Sequence, residues 1–367
     1  MARLFRDDTG PVLPVLCHAG DLLSRYCRGQ AHEVRALLAA IAGAGYHGVR
    51  TWTVLAGDYW RGREVGPHVT PHYWALLADF ARDLDGYGLG WLVSQGDALQ
   101  VVTTTADRVA FARQLTATLR RDLVLGVDCG NEAWQTGEPD PARLVPMAEI
   151  FATAWPDVAL SLSSPPGEER HELDAWSRAP ANVFDVHGYR GGHWWDKVRH
   201  LFSVAYEVKP ARPLGIQSEP FGPGALVSVT EHKHELHADV MQAAAVMSLM
   251  ARQAWVYFSG PGVMSDAGED LRDMPGFRET PAAVARLPRD VMTGRLLHGG
   301  STWAHERPFT ALGETRCDSV RLSGGRGVTL LYGPSWAGVA TAPMEPWVRV
   351  EADVAFGTTA RLVVWRS

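Results

Sequence analysis

A (β/α)8 TIM-type barrel followed by a small C-terminal antiparallel β-domain is the fold class that the sequence predicts, and three observations predict it. Eight short apolar runs alternate with helical patterns, and the runs begin roughly every 25–40 residues. Helical periodicity then gives way to β-type alternation after about residue 300.

The runs are Val12–Cys17, Gly48–Trp52, Gly90–Ser94, Leu123–Cys129, Val158–Ser163, Val183–His187, Leu214–Ser218 and Ala254–Ser259. Their length and β-branched content suit strands buried on both faces, as in a parallel barrel. Between them, apolar residues recur at three-to-four spacing: Val34, Leu37, Leu38 and Ile41, then Trp74, Leu77, Phe80 and Leu84. Val198, Leu201, Phe202 and Ala205 repeat the pattern, as do Val240, Ala244, Met247 and Ala251, which predicts helices packed on a sheet. A doubly wound open sheet would show fewer strands and a glycine-rich first turn. The turn after the first run is His18-Ala-Gly-Asp-Leu, which is no phosphate loop.

Ahead of the barrel, Leu4-Phe5-Arg6-Asp7-Asp8-Thr9-Gly10-Pro11 predicts a hairpin at its bottom. Behind it, Val320-Arg-Leu-Ser, Val328-Thr-Leu-Leu-Tyr, Trp347-Val-Arg-Val-Glu and Ala360-Arg-Leu-Val-Val-Trp predict strands separated by Gly and Pro turns. The expected division is a catalytic barrel over 1–300 and a small β-sandwich-like domain over 301–367.

Composition narrows the function classes. The formal charge of −6 carries no basic excess to neutralise phosphates, which argues against nucleic acid. No apolar run reaches the ~20 residues of a membrane span. The opening Met-Ala-Arg-Leu-Phe-Arg shows no apolar leader, and Cys17, Cys27, Cys129 and Cys317 lack paired spacing, so a cytoplasmic chain with reduced thiols is expected. Fourteen tryptophans give a mild lean toward sugars, whose C–H faces stack on aromatic rings.

In such a barrel the C-terminal ends of the strands face the reaction. Arg50 ends the second run, Asn131 and Glu132 follow the fourth, His187 and Tyr189 follow the sixth, and Glu219 ends the seventh. Glu132 in Gly-Asn-Glu-Ala-Trp and Glu219 in Ile-Gln-Ser-Glu-Pro form a two-carboxylate pattern. Hydrolysis at an acetal carbon needs a proton donor on one face and a carboxylate on the other. Trp52, Tyr59, Trp60, Trp134, Trp194 and Trp195 sit in or near the same loops as stacking platforms.

The combination of Arg50 in Gly-Val-Arg, Asn131-Glu132 in Gly-Asn-Glu, His187-Gly188-Tyr189 and Glu219 resembles glycoside hydrolase clan A, the four/seven superfamily of retaining glycosidases. It is most similar to the family 5 cellulase and mannanase type, over roughly residues 45–260. The resemblance implies an O-glycosyl hydrolase for β-linked glucan, mannan or related oligo- or polysaccharides, working through a covalent glycosyl-enzyme and needing no cofactor or metal. Glu132 would be the acid/base with a raised pKa, and Glu219 the nucleophile, kept ionised by Arg50 and the Tyr189 hydroxyl. Asn131 would donate to the sugar 2-hydroxyl and His187 would orient substrate or its neighbours. The two carboxyl groups should then lie about 5–5.5 Å apart.

Two departures stand out. The family's tryptophan at the end of strand eight is not where the pattern places it, since Trp255 comes early; either Phe258 or Tyr257 substitutes or the strand limits differ. The third run ends Ser94-Gln95-Gly96-Asp97, without the histidine often found there. Rival expectations are a silent carbohydrate-binding barrel, or a metal-dependent hydrolase built on His232-Lys-His234-Glu-Leu-His237.

Overall fold

The computed structural model describes residues 6–7, 10–11, 13–95, 102–133, 138, 140–164, 180–187, 193–196, 198, 215–220, 237–263, 270–293, 295–297, 315–333 and 347–367. Eight parallel strands close into a barrel in sequence order, the eighth pairing with the first. They are Val15–His18, Gly48–Trp52, Gly90–Ser94, Val124–Asn131, Ala159–Ser164, Phe184–Val186, Gly215–Gln217 and Gln253–Tyr257. Each falls on an apolar run of the sequence. The first begins three residues late because Pro14 has no N–H for the ladder; its carbonyl accepts from the Trp255 amide instead.

The strands are buried on both faces, which explains their lack of polar alternation. The exceptions point into the barrel. Strands two, four and six contribute Arg50, Asp128 and Asp185, all fully buried, as alternate strands of such barrels share a layer. Among the described residues the helices Ala31–Ala44 and Tyr73–Gly86 cover the expected stripes, with Val34, Leu38 and Ile41 buried on one and Leu77, Phe80 and Leu84 on the other. No helix among the described residues is long and apolar enough to cross a membrane.

The C-terminal strands Arg295–Leu297, Arg316–Arg321, Arg326–Tyr332, Arg349–Phe356 and Ala360–Arg366 form one antiparallel sheet in the order one-two-three-five-four. Its first strand precedes residue 300 and is too short to announce itself by alternation. Val320, Val328, Leu330, Leu362 and Val364 share a single hydrophobic core with helix Ala238–Met250. That helix is buried from Val240 to Met250 except at Gln242, not along one stripe, because the barrel takes one side and the sheet covers the other. The Thr359 hydroxyl donates to Asp239 at its N-terminal end. Of the N-terminal hairpin, the described part is Arg6–Asp7 paired antiparallel with Gly10–Pro11.

Candidate active site

Arg50 organises the mouth of the barrel. Its Nη2 donates to Asp128 Oδ2 at 3.0 Å, to Asn131 Oδ1 at 2.6 Å and, longer, to Ser94 Oγ at 3.4 Å. Its Nη1 donates to Glu219 Oε1 at 2.6 Å. A buried guanidinium is tolerated only when paired and hydrogen-bonded, and here a carboxylate on each of the two Nη atoms supplies the pairing, while Nε finds no hydrogen-bond partner among the described residues. Asp128 is satisfied in turn by Ser94 Oγ at 2.8 Å and by the amide and hydroxyl of Ser163, each at 3.0 Å.

Asp128 and Asn131 are three residues apart, yet both face inward. In a regular strand, residues of opposite parity face opposite ways. A β-bulge resolves this: Asp128 pairs with Ser161 and Asn131 with Ser163, so the fourth strand spends an extra residue where the fifth does not. The next residue, Glu132, is left-handed with φ of 45°, and its amide donates to the Ser163 carbonyl at 3.0 Å. A non-glycine residue in that region is held there by its surroundings, and such outliers cluster at functional sites.

His187, just past the sixth strand, bridges the two glutamates. Its Nδ1 lies 2.7 Å from Glu132 Oε1 and 3.4 Å from Glu219 Oε2. One donor atom from each of Glu132, His187 and Glu219 lies within 4.8 Å of the others. The histidine is fully buried while the two carboxylates keep a small exposed fraction, 16% for Glu132 and 11% for Glu219. The pair therefore opens to solvent above a closed floor.

The charges set the protonation states around the pair. Burial alone would lower the His187 pKa, but Glu219 and Glu132 outweigh it and hold it at about 9, an imidazolium at neutral pH. Burial, then the Asp128 charge, raises Asp185 to about 7. Burial and the Arg50 charge lower His18 to about 3, so it is neutral.

No family model and no curated protein matches the sequence. The fold does have solved counterparts. One titled "Glycoside hydrolase" aligns with a TM-score of 0.64 at 11% identity, over 100% of this chain and 95% of its own. A glycoside hydrolase family 5 structure from Bacteroides vulgatus gives 0.61 at 11% identity, over 100% and 92%. An exo-β-1,4-mannosidase from Opitutaceae bacterium strain TAV5 gives 0.55 at 13% identity, over 79% and 62%. The likeness is one of fold. It extends over the C-terminal sheet as well as the barrel in the first two.

Arg50, Asn131, Glu132, His187 and Glu219 thus meet at one rim, while Tyr189 and Trp134 lie outside the described residues. Trp52 ends strand two with its ring edge-on to His18 at 5.0 Å, and it is almost fully buried. It fills the space above Gly20, where an added Cβ would lie 2.3 Å from the ring. Trp60 packs behind it, and Tyr59 is exposed. Trp194 and Trp195, expected as sugar platforms, are buried against Tyr332 of the C-terminal sheet, with ring centroids at 5.5 and 5.6 Å. They leave no open face for a sugar, because the seam with the sheet consumes both rings.

At strand eight, Tyr257 is spent on the helix layer, its hydroxyl donating to the Pro275 carbonyl at 2.8 Å. Phe258 is the aromatic at the rim, 5.2 Å from His18. Of the histidine trio, His232 and His234 lie outside the described residues, and His237 is exposed at the start of helix Ala238–Met250. Asp128, Asp185, Ser163 and His18 were missed by sequence reasoning. The signal was present: an aspartate inside Leu-Gly-Val-Asp-Cys-Gly or Val-Phe-Asp-Val is a charge in an apolar strand, and such a charge needs a partner.

Proposed function

We propose that the chain is a retaining glycoside hydrolase acting on β-linked oligo- or polysaccharides. The observation that carries this is the carboxylate pair of Glu132 and Glu219 at the ends of strands four and seven, with donor atoms within 4.8 Å of each other. That separation suits direct attack by one carboxylate; inserting a water between the two requires about 6.5–9.5 Å.

Glu219 attacks the anomeric carbon while Glu132 gives its proton to the departing glycosidic oxygen. Arg50 grips Glu219 Oε1, which leaves Oε2 as the attacking oxygen. The bond from carbon to the leaving oxygen breaks as the Glu219 ester forms. Glu132, now a carboxylate, takes a proton from water, and that water cleaves the ester with a second inversion. Asn131 has its carbonyl end fixed on Arg50, so its amide nitrogen is turned away from Arg50 as a donor for a sugar hydroxyl. His187 links the two carboxylates, so loss of the Glu132 proton and its recovery are felt at the same imidazole. Gluco- and manno-configured β-glycosides are the substrates to try first, the second because a fold neighbour is titled a β-1,4-mannosidase.

The test is covalent trapping. A 2-deoxy-2-fluoro β-glycoside that inactivates the protein should label a peptide containing Glu219; a label on any other residue overturns the assignment. A second reading comes from the same three groups, since a carboxylate–imidazole–carboxylate set within 4.8 Å is also a donor set for a divalent cation. Under that reading a chelator abolishes turnover and the added metal restores it. Under the glycosidase reading the chelator changes nothing. A silent sugar-binding barrel would bind glycosides without turning any over.

A further inference from the structure

We propose that His18 is a positioning residue for Glu219: as a neutral acceptor it fixes Nη1 of Arg50, so that the other hydrogen of that nitrogen stays on the carboxylate. The proposal rests on the assignment of Glu219 as nucleophile.

His18 ends the first barrel strand, fully buried between the rings of Trp52 and Phe258. Its Nδ1 lies 3.2 Å from Arg50 Nη1. A guanidinium has five N–H donors and no acceptor, so this contact forms only if Nδ1 is unprotonated. The ring proton must then sit on Nε2. The tautomer follows from the geometry alone, and an imidazolium is excluded by the same reasoning.

Arg50 Nη1 carries two hydrogens and has two acceptors, Glu219 Oε1 and His18 Nδ1. Nη2 is occupied by Asp128, Asn131 and Ser94. Without His18 the guanidinium is held from one side only and can pivot about Nη2, which swings Nη1 across Glu219. A carboxylate in the place of His18 would hold Arg50 as well but would add a third anion to Asp128 and Glu219 around one cation. A neutral acceptor orients the cation without competing with Glu219 for its charge.

The cost of the arrangement shows that packing does not explain it. His18 Nε2 is buried and has no hydrogen-bond partner among the described residues. A leucine would fill the aromatic-walled pocket but would leave the second Nη1 hydrogen of Arg50 without its acceptor, so the imidazole serves by its lone pair rather than by its bulk. Cys17, one residue earlier, faces the apolar layer and needs no such partner.

The test uses the full chain with an activated aryl β-glycoside that the wild type turns over. His18→Asn places Oδ1 where Nδ1 stood; His18→Leu removes the acceptor. The acid limb of kcat/KM against pH reports the free enzyme's essential carboxylate. With His18→Leu, that limb should move up by about one pH unit, so that kcat/KM on the limb falls about tenfold, whereas His18→Asn should restore the limb. A limb that stays in place in folded His18→Leu, or moves equally in both variants, overturns the proposal.

If His18→Leu does not fold, 15N NMR of the wild-type imidazoles decides. His18 should keep a bare Nδ1 and a protonated Nε2 from about pH 5 to about pH 8. An Nδ1–H tautomer or an imidazolium in that range overturns it. Wild type that hydrolyses no glycoside refutes the glycosidase assignment, whereas the NMR result stands apart from turnover and tests the His18 contact by itself.

Discussion

Beneath the paired glutamates the barrel buries Arg50, Asp128 and Asp185, whereas at the seam with the C-terminal sheet the chain buries Trp194, Trp195 and Tyr332. Both places are tightly packed, and they differ in what happens when one member is removed. At the mouth Arg50, Asp128 and Glu219 are partners of one another, so removing the arginine leaves ions without their counterpart, while Asp185 is charged only against its burial. At the seam a deletion leaves a hole. The first kind of loss is electrostatic and depends on pH; the second is set by volume and does not. Large buried aromatic rings therefore mark the join of two layers in this chain, and charges inside apolar strands mark the chemistry.

The largest expected effect is at the pair itself. Glu219→Ala should lower kcat on any hydrolysed glycoside by about 10^4-fold or more in the folded protein, measured by steady-state kinetics beside a thermal melt. Glu132→Ala should retain aryl glycosides with good leaving groups far better than natural linkages, because only a poor leaving group needs the acid. Equal losses on both would remove Glu132 from that role.

Arg50→Met should cost about 3–5 kcal/mol of stability, since Asp128 is left buried and unpaired, and survivors should still be inactive. Trp194→Ala should cost a similar ~3–5 kcal/mol by cavity formation while kcat of the folded fraction stays at the wild-type value. Activity lost in proportion to stability at the seam would erase the distinction between the two regions.

The pH profile of stability sharpens it further. His187 has its folded pKa raised from 6.5 to about 9, so its contribution is fully present below about pH 6.5 and is lost as pH rises through 9. Asp185 is raised from 3.8 to about 7, so keeping it buried costs nothing below about pH 4 and more as pH climbs through 7. Asp185→Asn should therefore leave stability at pH 4 nearly unchanged and raise it at pH 8, on the order of 4 kcal/mol. Trp194→Ala should shift the whole curve of melting temperature against pH downward in parallel, with its shape intact. A parallel shift for Asp185→Asn would show that the aspartate does not titrate in that range.

Legibility in the sequence followed from how local each determinant is. All eight barrel strands were visible because a strand buried on both faces is an apolar run, a property of a few adjacent residues. Glu132 and Glu219 were visible because strand counting placed them at the same rim. Trp194 and Trp195 were misjudged because their position after strand six is compatible with either a substrate or a neighbouring layer. Only the tertiary approach of Tyr332, 137 positions beyond Trp195, decides it. Asp128 was overlooked since its partner Arg50 is 78 positions away, and the strand Arg295–Leu297 since three residues carry no period.

The bulge in the fourth strand makes the site depend on a count. Between Asp128 and Asn131 the chain takes an odd step where its neighbour takes an even one, which puts both side chains on the same wall. A deletion of one residue in that step would leave Asp128 and the asparagine on one wall by ordinary alternation, yet it would erase the bulge, and with it the local bend and twist from which Glu132 is aimed. In this stretch the spacing is as much a part of the site as the residues, and length variants here should be as rare as substitutions of Glu132 itself.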